Sequence, residues 1–195
     1  MKKSFLVSLC CVVFALSASA DQKVATIDLR KVFDKYWRTI QADANLKEEA
    51  SGLEKESKAM IEQLRKNEEK YRKLVDGAND QSLSQAERDK RKKDAENELL
   101  GLREGEAKIK QYDNTARTTL AEKQRRMRDN ILQEIRETVK ARVKTVGYTL
   151  VVDTAAETMN GTPIVIYSAG TDDLTESVLS QLNINAPPPP KNDAK

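Results

Sequence analysis

Residues 46–74 read LKEEASGLEKESKAMIEQLRKNEEKYRKL. Within this stretch Leu46, Ala50, Leu53, Ser57, Met60, Leu64, Asn67, Tyr71 and Leu74 recur at alternating spacings of four and three. That is a heptad of about four repeats, the pattern of a left-handed two-helix seam. Ser57 and Asn67 are polar seam positions, which weaken packing but help to fix register. Upstream, Leu29, Val32, Phe33, Tyr36, Trp37 and Ile40 form a denser helical stripe that should enter the core. One helix is therefore expected from Leu29 to Asp76, roughly 70 Å long at 1.5 Å per residue.

The run Asp76-Gly77-Ala78-Asn79-Asp80 predicts the break, with Gly77 or Asn79 in the left-handed conformation. Ser84 with Glu87 is a capping box that opens a second helix. No proline interrupts it before Pro163, and it should run to Val146, roughly 90 Å. A break of a few residues forces the two helices back on each other as an antiparallel hairpin. The returning helix begins almost wholly charged between Glu87 and Glu98 and ends with the stripe Met127, Ile131, Leu132, Ile135, Val139, Val143 and Val146. The hairpin should be thin and polar near its turn and well buried at its base. Gly101 and Gly105 lie between these regions; each costs about 1 kcal/mol relative to alanine, and they either permit a bend or are simply tolerated.

Outside the hairpin, Val24-Ala25-Thr26-Ile27 is β-branched and reads as a strand, with Asp28 as the N-cap of the helix behind it. Gly147 closes the second helix. Residues 148–153 and 163–168 predict two more strands, the latter after the turn dipeptide Asn160-Gly161. Asn160-Gly161-Thr162 also matches a glycosylation acceptor, but Gly161 and Pro163 favour a turn. Residues 172–182 predict a short helix, and the segment from Ala186 through Pro187–Pro190 an extended tail. The fold class is α+β, mostly α: a long helical hairpin projecting from a small β body. Such a body has unpaired strand edges, which association of several copies would cover. The divisions expected are 1–20, a signal peptide; 21–36, the first strand and helix start; 37–125, the hairpin with its turn near 77–83; 126–185, the rest of the body; and 186–195, the tail.

Composition narrows the function. Lys2 and Lys3, the apolar run Phe5–Leu16 and the small-x-small site Ala18-Ser19-Ala20 are the parts of an export signal cut after Ala20. That apolar run is shorter than the roughly 20 residues a membrane span needs. Both cysteines, Cys10 and Cys11, lie inside it, and the chain has no histidine. The exported part therefore offers no disulfide, thiolate site or histidine ligand, and no metal or other cofactor is expected. Charged residues make up 33% of the chain and aromatic ones 5%, too polar a mixture for an ordinary compact globule. Without Lys2 and Lys3 the formal charge of +3 falls to about +1, which argues against a nucleic-acid binder. Asp153 and Glu157 lie near each other, yet no other convergent polar group or glycine-rich phosphate loop accompanies them, so no catalytic residue and no enzyme is expected.

The layout resembles the Skp (OmpH-like) family of periplasmic chaperones. The matching pieces are Val24-Ala25-Thr26-Ile27-Asp28 followed by Phe33, then Leu150-Val151-Val152-Asp153, then Asp173-Leu174-Thr175 with Val178, Leu179 and Leu182-Asn183. The resemblance implies a jellyfish-like homotrimer: a small β body with three helical tentacles around a cavity that holds unfolded outer-membrane proteins without ATP. The chain departs from the pattern in its proline tail and in the longer region 163–170. The trimer body would draw on Val24, Ile27, Leu150, Val151, Val152, Ile164 and Ile166. Contact with clients, or with an anionic membrane or lipopolysaccharide, would draw on Arg65, Lys66, Lys70, Arg72, Lys73, Lys90, Arg91, Lys92 and Lys93, with Met60 and Leu64 as adaptable apolar spots. The alternative function is a structural coiled coil tethering layers of the cell envelope.

Overall fold

The computed structural model describes residues 23–188. The proposed export signal and most of the proline tail lie outside these residues. The chain runs β1 (Val24–Ile27), α1 (Leu29–Lys35), α2 (Trp37–Asn79), α3 (Gln85–Val146), β2 (Leu150–Asp153) and α4 (Thr175–Leu182).

Alternation along β1 turns Ala25 and Ile27 inward, at 0% and 4% exposure. β1 pairs in parallel with β2, from Val24 opposite Leu150 to Ile27 opposite Asp153. Parallel pairing requires a long crossover, and here the crossover is the whole run α1–α2–α3. On its other edge β1 is bridged by Asp173: the Thr26 amide donates to Asp172 O (2.9 Å) and the Leu174 amide to Thr26 O (2.8 Å). The strand ends and helix starts are tied together by short polar side chains. Asp28 caps α1 by accepting from the Lys31 amide (2.7 Å), and Asp153 accepts from the Leu29 amide (3.0 Å).

The core lies where the base of α3 meets this small sheet and α4. Ala25, Ile27, Val32, Tyr36, Ile131, Ile135, Leu174 and Val178 form it, with Phe33, Trp37, Met127 and Val151 partly buried against it. Ile131 and Ile135 are the buried part of the stripe expected at the end of α3, whereas Val146 of that stripe and Ile40, expected in the core, are 41% and 59% exposed. No helix among the described residues is long and apolar enough to cross a membrane.

Four expectations are corrected. The helix expected to run unbroken from Leu29 breaks at Tyr36, whose φ of −70° and ψ of 126° are extended. The break buries the Tyr36 ring to 4% exposure and sets it edge-on to Trp37. Second, α2 continues through Gly77 to Asn79, and the chain turns at Asp80. Gly77 serves close approach instead of termination: a Cβ there would lie 2.5 Å from Nη1 of Arg91, which crosses it. Third, residues 163–168 form no strand. Only an isolated bridge joins Glu157 to Pro163, and Ile166 and Tyr167 are 84% and 83% exposed. β-branched residues make a strand only against a partner, and the described residues supply none to that segment. Among the described residues the sheet therefore has two strands. Fourth, strand and helix boundaries shrink: β2 starts at Leu150, with the Tyr148 amide still held by Val143 O at the end of α3, and α4 starts at Thr175 because residues 172–174 are spent on β1. Gly147 acts as expected, taking φ 83°, and half of the expected capping box forms: Ser84 accepts from the Glu87 amide, while the Glu87 carboxylate pairs with Arg91.

Candidate functional site

All nine seam residues of α2 named from the heptad are half-buried. Their partners on α3 follow the same alternation: Arg88, Arg91, Ala95, Glu98, Leu102, Gly105, Ile109, Tyr112 and Ala116 are half-buried or buried. Sequence reading missed this second seam because arginine, glutamate and glycine occupy positions where apolar residues are expected. The three-four spacing was the available signal. Contacts across the pair form a ladder. Glu49 meets Lys123, Ser57 donates to Asp113 (2.8 Å), Lys70 meets Glu98 (2.6 Å) and Leu64 lies against Gly105. Partner numbers thus fall along α3 as they rise along α2.

Gly105 is more than tolerated, since a Cβ there would stand 2.8 Å from Leu64 Cδ1. The helix passes through Gly101 without interruption, and a side chain there would meet open space. Ser57 finds its partner across the seam, while Asn67 bonds Gln63 on its own helix (3.0 Å). Tyr112 donates to Glu56 (2.6 Å), and this bond, with some desolvation, pushes the Tyr112 hydroxyl up to about 12.

The basic residues divide into two sets. Arg65 pairs with Glu62 (3.2 Å), Arg72 with Glu68 (3.3 Å), Arg91 with Glu87 (3.1 Å) and Lys70 with Glu98. Lys66, Lys73, Lys90, Lys92 and Lys93 are exposed and have no ion pair among the described residues. Met60 and Leu64 belong to the seam. The large apolar side chains that this part of the pair exposes are Ile61 (50%) and Leu100 (57%), which sequence reading did not single out. An open groove of about 460 Å³ near the turn is lined by Tyr71, Val75, Ala78, Lys92, Ala95 and Leu99. Another, about 400 Å³, is lined by Ile61, Leu64, Ile109, Lys110 and Arg117, among others.

Of the residues named for a shared body, Ile27 is buried and Val151 packs on the core, while Val24, Leu150, Ile164 and Ile166 are 43%, 54%, 58% and 84% exposed. Val152 is half-buried. The two carboxylates weighed as a catalytic pair have structural partners: Asp153 holds the Leu29 and Ala155 amides, and Glu157 pairs with Arg30 (3.2 Å). No group of three or more metal-ligating side chains converges among the described residues. The arrangement offers a long, shallow surface of free ammonium groups and scattered apolar patches, suited to weak and plural contacts.

The sequence pattern of the outer membrane protein (OmpH-like) family matches residues 23–182. The chain belongs to the OmpH-like family. The match covers every strand and helix of this OmpH-like chain, from the residue before β1 to the last of α4. The family is associated with periplasmic chaperones of outer-membrane proteins. A comparison of the OmpH-like chain with curated proteins finds no match.

Proposed function

We infer that this OmpH-like chain is a periplasmic holding chaperone that binds unfolded outer-membrane proteins without nucleotide and keeps them from aggregating. Three copies assemble through their body segments, and α2 and α3 of each form an antiparallel tentacle beside a shared cavity. The observation that carries this reading is the two-faced helix pair. Its seam holds the two rods together, while five lysines with no ion pair among the described residues and the exposed Ile61 and Leu100 remain on its flanks. A holder must grip unlike clients and release them, which demands contacts that are numerous, adaptable and individually weak. Ammonium groups steer acidic segments from a distance and lose that influence as salt screens them, with a Debye length of about 10 Å at 0.1 M. The same lysines suit an anionic membrane or lipopolysaccharide surface. The exposed Leu150, Ile164 and Ile166 support a body completed by other copies, because apolar β-forming side chains left in water favour association. Export, with cleavage after Ala20, brings the chain to its clients.

The test is dilution of a urea-unfolded barrel protein into buffer with and without the purified chain, in the absence of nucleotide. Suppressed light scattering at a few-fold molar excess, weakening as salt rises, is the expected result. Unchanged scattering at every ratio would refute the holding function.

A further inference from the structure

We propose that Asn183 is a positioning residue that locks the elbow at Tyr36 and so fixes the direction in which the helix pair leaves the body. The elbow reroutes backbone hydrogen bonds that a continuous helix would make, and each freed group needs a partner. In an unbroken helix the Trp37 amide would donate to Phe33 O and the Thr39 amide to Lys35 O. At the elbow both acceptors change. The Tyr36 amide takes Phe33 O (3.3 Å), and the Thr39 amide turns to Tyr36 O (2.9 Å). The Trp37 amide and the Lys35 carbonyl are thereby released, and Asn183 satisfies both. Its Oδ1 accepts from the Trp37 amide (3.0 Å), and its Nδ2 donates to Lys35 O (3.2 Å).

A side-chain amide offers one acceptor and two donors on one short stem, which is what this gap requires. Aspartate would keep the acceptor and lose the donor. Alanine would supply neither. Asn183 is itself fixed, because its amide donates to Leu179 O (3.0 Å) at the end of α4, and Val178 and Leu179 are buried. The lock therefore ties the start of α2 to the body across a sequence separation of 146 residues. Glu134 of α3 closes the elbow from another side, accepting from Tyr36 Oη (2.9 Å) and from Arg38 Nη1 (2.6 Å). The break is thus a bonded joint instead of a loose link. Its bearing on grip rests on the holding function proposed above, but the lock is measurable with no client present.

The experiment uses the full chain with Cys10 and Cys11 replaced by serine, spin labels at Gln81 near the turn and Ser180 on α4, and residue-resolved hydrogen exchange. Asn183→Ala should speed exchange at Trp37 about tenfold, since one protecting hydrogen bond is removed. Amides of β1 and of α2 near Met60 should exchange as before, and the Gln81–Ser180 distance distribution should broaden. Asn183→Asp, which retains the Trp37 acceptor, should give a smaller rise. Unchanged exchange at Trp37 in Asn183→Ala, or an unchanged distance distribution, overturns the proposal. So does a rise spread evenly over β1, α2 and α4, which marks loss of folding in place of an unlocked elbow. A chain that fails to hold clients yet shows the elbow response would defeat the proposed function and leave the lock intact.

Discussion

Ile135→Ala should destabilise the chain far more than Ile61→Ala, although both remove the same atoms from a long helix. Ile135 is fully buried among Val32, Tyr36 and Val178, whereas Ile61 is 50% exposed on the flank of the helix pair. Removing about three buried carbons at about 0.8 kcal/mol each gives roughly 2.4 kcal/mol at Ile135. The cavity left behind adds a further contribution, bringing the expected loss to about 3–4 kcal/mol. At Ile61 only part of the side chain leaves an apolar environment and no closed cavity forms, so about 1 kcal/mol is expected. Both changes raise helix propensity equally, and that effect cancels in the comparison. Urea unfolding at one fixed protein concentration is the assay, because the assembly proposed above would make stability depend on concentration. With a slope of about 2 kcal/mol per molar urea, the midpoint should fall by roughly 1.5–2 M for Ile135→Ala and by about 0.5 M for Ile61→Ala. Equal shifts would refute the claim that a buried base supports a thin outer rod.

Three further outcomes follow from named contacts. Thr39 is 2% exposed and its Oγ1 has no hydrogen-bond partner among the described residues, so Thr39→Val should raise stability by about 1 kcal/mol in thermal unfolding, where a loss would show a hidden partner. Burial, followed by the bond to Glu134, pushes the Tyr36 hydroxyl up to about 12 from 10.0; the unfolded chain then ionises first, and the contribution of Tyr36 is complete below pH 10 and lost as pH rises through 12. Tyr36→Phe should remove that part of the alkaline decline in the urea midpoint, and an identical decline in the variant would contradict the assignment. Leu64→Asp sets a carboxylate against Gly105 inside the seam, so solution scattering should report splayed outer helices and client protection should fall, while the signal of the body persists; loss of the whole fold would contradict that separation.

The long elements were legible in the sequence because their signals are local. The heptad from Leu46 to Leu74 and the caps Asp28 and Ser84 each lie within a few turns of the structure they determine. The elbow at Tyr36 was not legible, since the group that stabilises it, Asn183, arrives from 146 residues away. Residues 163–168 carry the composition of a strand, but composition cannot supply the partner a strand requires. The candidate surface was legible only as a basic tendency. Four of the nine cations named from sequence are tied to carboxylates, two of them, Lys70 and Arg91, at or beside a seam that the sequence concealed behind charged residues. Gly77 and Gly105 looked like a stop and a tolerated flaw, and each proved to be room for a side chain of the opposite helix.

Photo-crosslinking of an unfolded barrel protein tests the proposed holding surface most directly. A photoreactive residue placed in turn at Lys66, Lys73 and Lys90 on the helix pair, and at Glu176 on α4, is irradiated with the client bound. Strong client adducts are expected from the three helix-pair positions and few from Glu176. Adducts confined to Glu176, or none from the helix pair while aggregation is still suppressed, would contradict the proposed holding surface.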